Sequence, residues 1–114
     1  MTPRELAERI AAIASDRKAQ EIRILDVGEL VSYTDCFVIA SGNTERQAKA
    51  IHDAIHEQLK KEHGLLPRRV EGDREARWIL MDYGDCVLHV FTPDARAYYR
   101  LEQLWGEAPA ESVG

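Results

Sequence analysis

The run Cys36-Phe37-Val38-Ile39-Ala40, stopped at once by Ser41-Gly42-Asn43, constrains the fold of this chain more than any other stretch. Consecutive apolar residues without polar alternation fit a strand covered on both faces, and therefore a central one. The next residues, Thr44-Glu45-Arg46-Gln47, form a capping box, a hydroxyl followed three positions later by a side chain that can reach back to the helix start. They open a long helix to about His63, with Ala48, Ile51, Ile55 and Leu59 as its buried stripe and Gly64 as its stop. Strand, tight turn and helix make a crossover unit, which predicts an α/β fold with a partly parallel sheet.

The flanking segments supply the remaining elements. Thr2-Pro3-Arg4-Glu5 offers an N-cap, a proline at the first helical position and a capping-box glutamate, ahead of a stripe of Leu6, Ile10, Ile13 and Ala14. Ile22 to Val27 is rich in β-branched residues and reads as a strand ended by Gly28. Arg68 to Glu71 reads as a short strand turned by Gly72-Asp73. Arg77 to Asp82 and Cys86 to Phe91 read as a hairpin around Tyr83-Gly84-Asp85. Thr92-Pro93 repeats the Thr2-Pro3 device ahead of a last helix carrying Tyr98, Leu101, Leu104 and Trp105. The expected architecture is a mixed central sheet of about five strands with about three helices. At 114 residues it forms one domain, residues 1–106, with 107–114 as a disordered tail.

Composition narrows the function classes. A formal net charge of −5 repels phosphate backbones and suits a basic protein partner, although solubility alone also explains it. No apolar signal region opens the chain and no run reaches the ~20 apolar residues of a membrane helix, so the expected location is cytoplasmic. Cys36 and Cys86 lie inside apolar runs and read as free core thiols.

Alternation across the hairpin gives its strands two unlike faces. Ile79, Met81, Leu88 and Val90 form a wholly aliphatic layer for helices to cover. Trp78, Leu80, Asp82, Val87, His89 and Phe91 form the other. Aromatic anchors among a few polar groups suit a binding patch, whereas a buried layer would have to supply partners for Asp82 and His89. Both readings stay open: an uncovered patch, or a second helical layer over a Trp78 that is part of the core.

Enzyme-like patterns are weak. Asp82 and Asp85 sit three apart across a hairpin tip rather than two apart on one strand face, so turn preference explains them better than metal binding. Ser41 to Thr44 lacks the repeated glycines and the lysine of a phosphate cradle. His52 and His56 share one side of a helix but lack a third ligand. No catalytic residue, metal or cofactor is expected.

The string Asp35-Cys36-Phe37-Val38-Ile39-Ala40-Ser41-Gly42, with Arg46-Gln47, resembles a block of the ribosomal silencing factors of the RsfS/Iojap family. The likeness continues at Glu71-Gly72 and through Trp78-Ile79-Leu80-Met81-Asp82-Tyr83-Gly84-Asp85. It then takes in Val87, His89-Val90-Phe91, Arg96, Tyr98-Tyr99, Leu101-Glu102, Leu104 and Trp105. Cys36 stands where an aromatic is usual in the family and Cys86 where a β-branched residue is common, and both stay apolar. The resemblance implies a nucleotidyltransferase-like fold without catalytic acids and a non-enzymatic translational repressor. Such a protein would bind the large ribosomal subunit through its protein uL-fourteen and block joining of the small subunit when nutrients are short. It also implies a homodimer when free. On that reading Trp78 anchors the partner beside Leu80. Asp82, Asp85 and Glu71 face its basic residues, and Tyr83 and His89 complete the patch. Tyr98, Tyr99, Leu101 and Trp105 are read mainly as packing, with part of their helix open to a dimer contact. The alternatives are a nucleotidyltransferase-like enzyme and an adaptor for a non-ribosomal partner.

Overall fold

A computed structural model describes residues 1–113; of the expected tail, Gly114 lies outside them. Thr2 opens helix α1, Pro3–Asp16, with the full capping box: the Glu5 N–H donates to Thr2 Oγ1 at 3.1 Å and the Thr2 N–H donates to Glu5 Oε1 at 2.8 Å. Strand β1, Gln20–Asp26, follows, and then an irregular segment leads to β2, Cys36–Ser41, buried along its whole length. Helix α2, Glu45–His63, starts at Thr44, whose hydroxyl accepts from the Gln47 N–H at 3.1 Å, and ends at left-handed Gly64. The Gln47 side chain takes the Asn43 N–H instead of closing back on Thr44.

Strands β3, Arg69–Glu71, β4, Trp78–Asp82, and β5, Cys86–Phe91, come next. The last helix is broken into α3, Pro93–Tyr99, and a single turn, α4, Leu101–Leu104, by Arg100 in the left-handed region. Its opening differs from α1. The Thr92 hydroxyl makes no bond to the helix backbone and donates to the Asp94 carboxylate at 2.7 Å.

The tail expectation is corrected at Ala110–Val113. These residues form a sixth strand, β6, paired antiparallel with β1, so the sheet has six strands in the order β3-β4-β5-β2-β1-β6. Pairing satisfies a row of β1 backbone groups that would otherwise face water at an edge. Among the described residues only β2 and β5 run parallel, joined through α2 and the β3–β4 excursion, and every other neighbouring pair is antiparallel. The expected mixed sheet with a crossover helix is therefore present.

The sheet separates two cores. On one face, Ile22, Ile24, Val38, Ala40, Ile79, Met81, Leu88 and Val90 pack beneath Leu6, Ile10 and Ile13 of α1 and Ile51, Ile55 and Leu59 of α2. Cys36 and Cys86, register partners on β2 and β5, belong to this core as free thiols, and Cys86 Sγ donates to the Pro3 carbonyl at 3.2 Å. The other face carries a smaller core of Leu25, Val27, Phe37, Ile39, Val87 and Phe91, roofed by Ala95, Leu101, Trp105 and Ala108. That roof does not reach β3 and the outer rows of β4, where Leu80 and Asp82 stay half-buried and Arg69 and Glu71 are exposed.

Candidate functional site

The uncovered part of the second face is built from register. In the β4–β5 hairpin Trp78 stands opposite Phe91, Leu80 opposite His89 and Asp82 opposite Val87. In the β3–β4 pair Glu71 stands opposite Leu80, and Arg69 opposite Asp82. Across the parallel pair Phe37 neighbours Val87 and Ile39 neighbours His89. Side chains paired in this way share a face, so four strands bring the residues of one patch together.

Trp78 is half-buried. Its ring stacks on Phe91 with centroids 5.0 Å apart and lies 4.7 Å from the ring of Tyr99, which comes over it from α3. Its indole N–H donates to Nδ1 of His89 at 3.1 Å. The two readings of Trp78 therefore meet in one residue, whose ring rests on the second core while one side stays at the surface.

Beside it lies a groove of about 340 Å³ lined by Tyr33, Phe37, Arg69, Leu80, Asp82, Val87 and His89. Its floor is apolar, from Phe37, Leu80 and Val87. Tyr33 stands at the mouth, 57% exposed, with its ring 6.3 Å from that of Phe37. Tyr33 and Phe37 are absent from the sequence-based patch. Tyr33 lies in an irregular segment with no periodicity to assign it a face, and Phe37 lies in a run whose two faces are equally apolar.

His89 lies at the bottom, 4% exposed. Burial drives its pKa down to about 4, because the imidazolium loses more hydration than the neutral ring. Tryptophan N–H can only donate, so Nδ1 is the acceptor and the neutral ring carries its proton on Nε2. That Nε2 is buried and has no hydrogen-bond partner.

The expected acids behave differently from one another. Asp82 receives a bifurcated contact from the Arg68 guanidinium, 3.3 Å to each oxygen, and also accepts the Gly84 N–H at 2.8 Å. Glu71 pairs with Arg69 at 2.7 Å. Both are on the open face, but each already has its own arginine. Asp85 is exposed at the hairpin tip and shares a different depression with Met1, Leu6, His63, Leu65 and Tyr83, near the helical layer. Tyr83 is the clear correction. It is 6% exposed and belongs to the helix-side core, since the tight turn rotates its ring away from the patch. Burial also raises its phenol pKa above the ordinary value.

Chemically, this site offers shape, the aromatic rings of Trp78, Tyr33 and Phe37, and one unpaired donor. Among the described residues no three His, Cys, Asp or Glu side chains gather as a metal site. Among the same residues no helix is long and apolar enough to cross a membrane.

Comparison with known proteins gives one family. The pattern described as "Ribosomal silencing factor during starvation" matches residues 1–114. Ribosomal silencing factor RsfS of Bacillus subtilis is 41% identical over 109 residues, which covers 96% of this chain and 92% of that protein. The mouse protein named Mitochondrial assembly of ribosomal large subunit protein 1 is 30% identical over 103 residues, 86% of this chain and 44% of that protein. A crystal structure of a Chromobacterium violaceum protein superposes with a TM-score of 0.89 at 35% identity, covering 100% of this chain and 95% of the other.

Proposed function

The chain belongs to the family of ribosomal silencing factors, and from that premise we propose that it represses translation in the cytoplasm by binding the large ribosomal subunit where the small subunit would join. The surface that supports this reading is the uncovered part of the second sheet face, with half-buried Trp78 and Leu80 beside the groove over Phe37 and Val87. An aromatic anchor beside an apolar pocket is the usual energetic centre of a protein–protein contact. The partner in this reading is the large-subunit protein uL-fourteen. A contact of ~800 Å² per partner would hold the complex. Occupation of the joining surface is sufficient, with no bond made or broken, so the protein acts without catalysis.

Net charge of −5 speeds encounter with basic ribosomal protein and loses effect as salt rises. Because Asp82 and Glu71 are paired with Arg68 and Arg69, specific charge contacts contribute less than the apolar anchor. The free protein is a homodimer through the α3–α4 end, where Tyr98 is 78% and Leu104 71% exposed. Sedimentation of purified subunits through sucrose with and without the protein tests the central claim. Cosedimentation with the large subunit and loss of joined ribosomes are expected. Undiminished joining at saturating protein overturns it.

A further inference from the structure

His89 is a buried histidine with one nitrogen satisfied and the other not. Trp78 fills Nδ1, which fixes the proton on Nε2 and makes that nitrogen a donor. Nε2 has no acceptor, and the residue lines the groove under the open face. A buried donor without an acceptor is destabilising, and native proteins keep few of them. The nearest aromatic contact does not remove the problem. Phe37 meets the imidazole in a T-shaped arrangement at 5.0 Å, and a ring face is a second-order acceptor beside an oxygen.

The groove also restricts what can answer this donor. Its charged rim is already neutralised, Asp82 by Arg68 and Arg69 by Glu71. A carboxylate or an ammonium would lose hydration over an apolar floor whose rim charges are already paired, and an ammonium offers the donor no acceptor. An uncharged oxygen over an apolar floor fits both constraints.

We infer that His89 Nε2–H is a specificity-determining donor of the docking face, and that the partner answers it with a main-chain carbonyl oxygen of a protein loop lowered into the groove. This rests on the docking reading above. The loop enters by displacing the exposed Tyr33 ring and lays an apolar side chain on Phe37, Leu80 and Val87. The hydrogen bond formed there gives an acceptor to a donor that the free protein buries without one. Tryptophan at 78 acquires a second role, since it selects the tautomer that can donate.

The probe is the purified large ribosomal subunit, titrated with wild type, Leu80→Glu, His89→Phe and His89→Gln. Leu80→Glu is expected to abolish binding, His89→Phe to weaken it roughly tenfold or more, and His89→Gln, which keeps an N–H donor, to recover part of the loss. If Leu80→Glu binds like wild type, the docking reading fails and this inference with it. If Leu80→Glu fails to bind but His89→Phe stays within about twofold of wild type, the donor role alone is overturned. The histidine tautomer, read by nitrogen NMR of the ¹⁵N-histidine-labelled wild type, tests it without any variant. A proton on Nε2 is expected, and a ring protonated mainly on Nδ1 overturns the inference even if His89→Phe does not fold.

Discussion

The indole N–H of Trp78 donates diagonally across β4 and β5 to Nδ1 of His89, at 3.1 Å. Protonation of that imidazole would break the bond and bury a cation. Burial accordingly holds the folded pKa at about 4, against 6.5 for an unburied histidine. Between those values the unfolded chain binds a proton that the folded chain does not, so stability rises with pH across this window. The contribution is complete above about pH 6.5 and is lost as the pH falls toward 4, and at full extent it is on the order of 3 kcal/mol. Thermal melts from about pH 7 to about pH 4.5 should show a steeper fall for wild type than for His89→Phe. Parallel falls would assign the acid sensitivity to other groups.

Tyr83 makes the opposite case, a sequence candidate that the fold withdraws from the patch. Its hydroxyl is buried without a partner on the helix side of the sheet. Tyr83→Phe removes an unsatisfied group and leaves the ring in place. Denaturant unfolding should show unchanged stability or a gain of about 1 kcal/mol. Affinity for large subunits should not change, because the ring is on the wrong face. Weakened binding at full stability would return Tyr83 to the interface.

The pattern of misses has a physical cause. Alternation fixes which side of a strand a residue occupies, so Trp78, Leu80, Asp82 and His89 were readable as one face and are one face. It stops applying at a turn, where the Tyr83 ring rotates to the helix side of the sheet. It is silent in irregular segments, which hides Tyr33. Composition also misled at the end of the chain. Ala110-Glu111-Ser112-Val113 is polar and short, and it becomes a strand because β1 offers it an edge, a long-range fact that no local window contains. The helix-start signals at Thr2 and Thr44 needed only four residues each, and both helices start where expected, although only Thr2 closes a full capping box.

That sixth strand is itself testable. Truncation after Pro109 leaves β1 as an edge and removes the contact of Val113 with the helix-side core. Amide hydrogen exchange in Ile22–Leu25 should accelerate while that of β5 stays protected, because opening would be local rather than global. Unchanged protection of β1 would mean that β6 is dispensable.

The roof of the second core depends on one buried guanidinium. Arg96, with its side chain 10% exposed, donates from Nε to Glu102 Oε1 at 2.7 Å and from Nη1 to Ser41 Oγ at 2.8 Å. Arg23 reaches the other oxygen of Glu102 at 3.1 Å. These bonds tie α3 and α4 to the end of β2 and the middle of β1, and α3 in turn holds Tyr99 over Trp78. Arg96→Ala should cost about 1–3 kcal/mol, since it strands Ser41 and half of Glu102. Arg96→Lys should recover little of it, because an ammonium cannot address two diverging acceptors as the guanidinium fork does. The Glu102 carboxyl is held below its ordinary pKa, chiefly by the bond from Arg96, so its contribution is present above that ordinary value and lost as the pH falls through the lowered one. Glu102→Gln should abolish that acidic component. Tryptophan emission gives a second readout. Loosening α3 should let water reach Trp78, and Trp105 in the same roof, and shift the emission of Arg96→Ala to the red before global unfolding. An unshifted spectrum in a destabilised Arg96→Ala would mean that Tyr99 does not depend on this network for its place over the anchor.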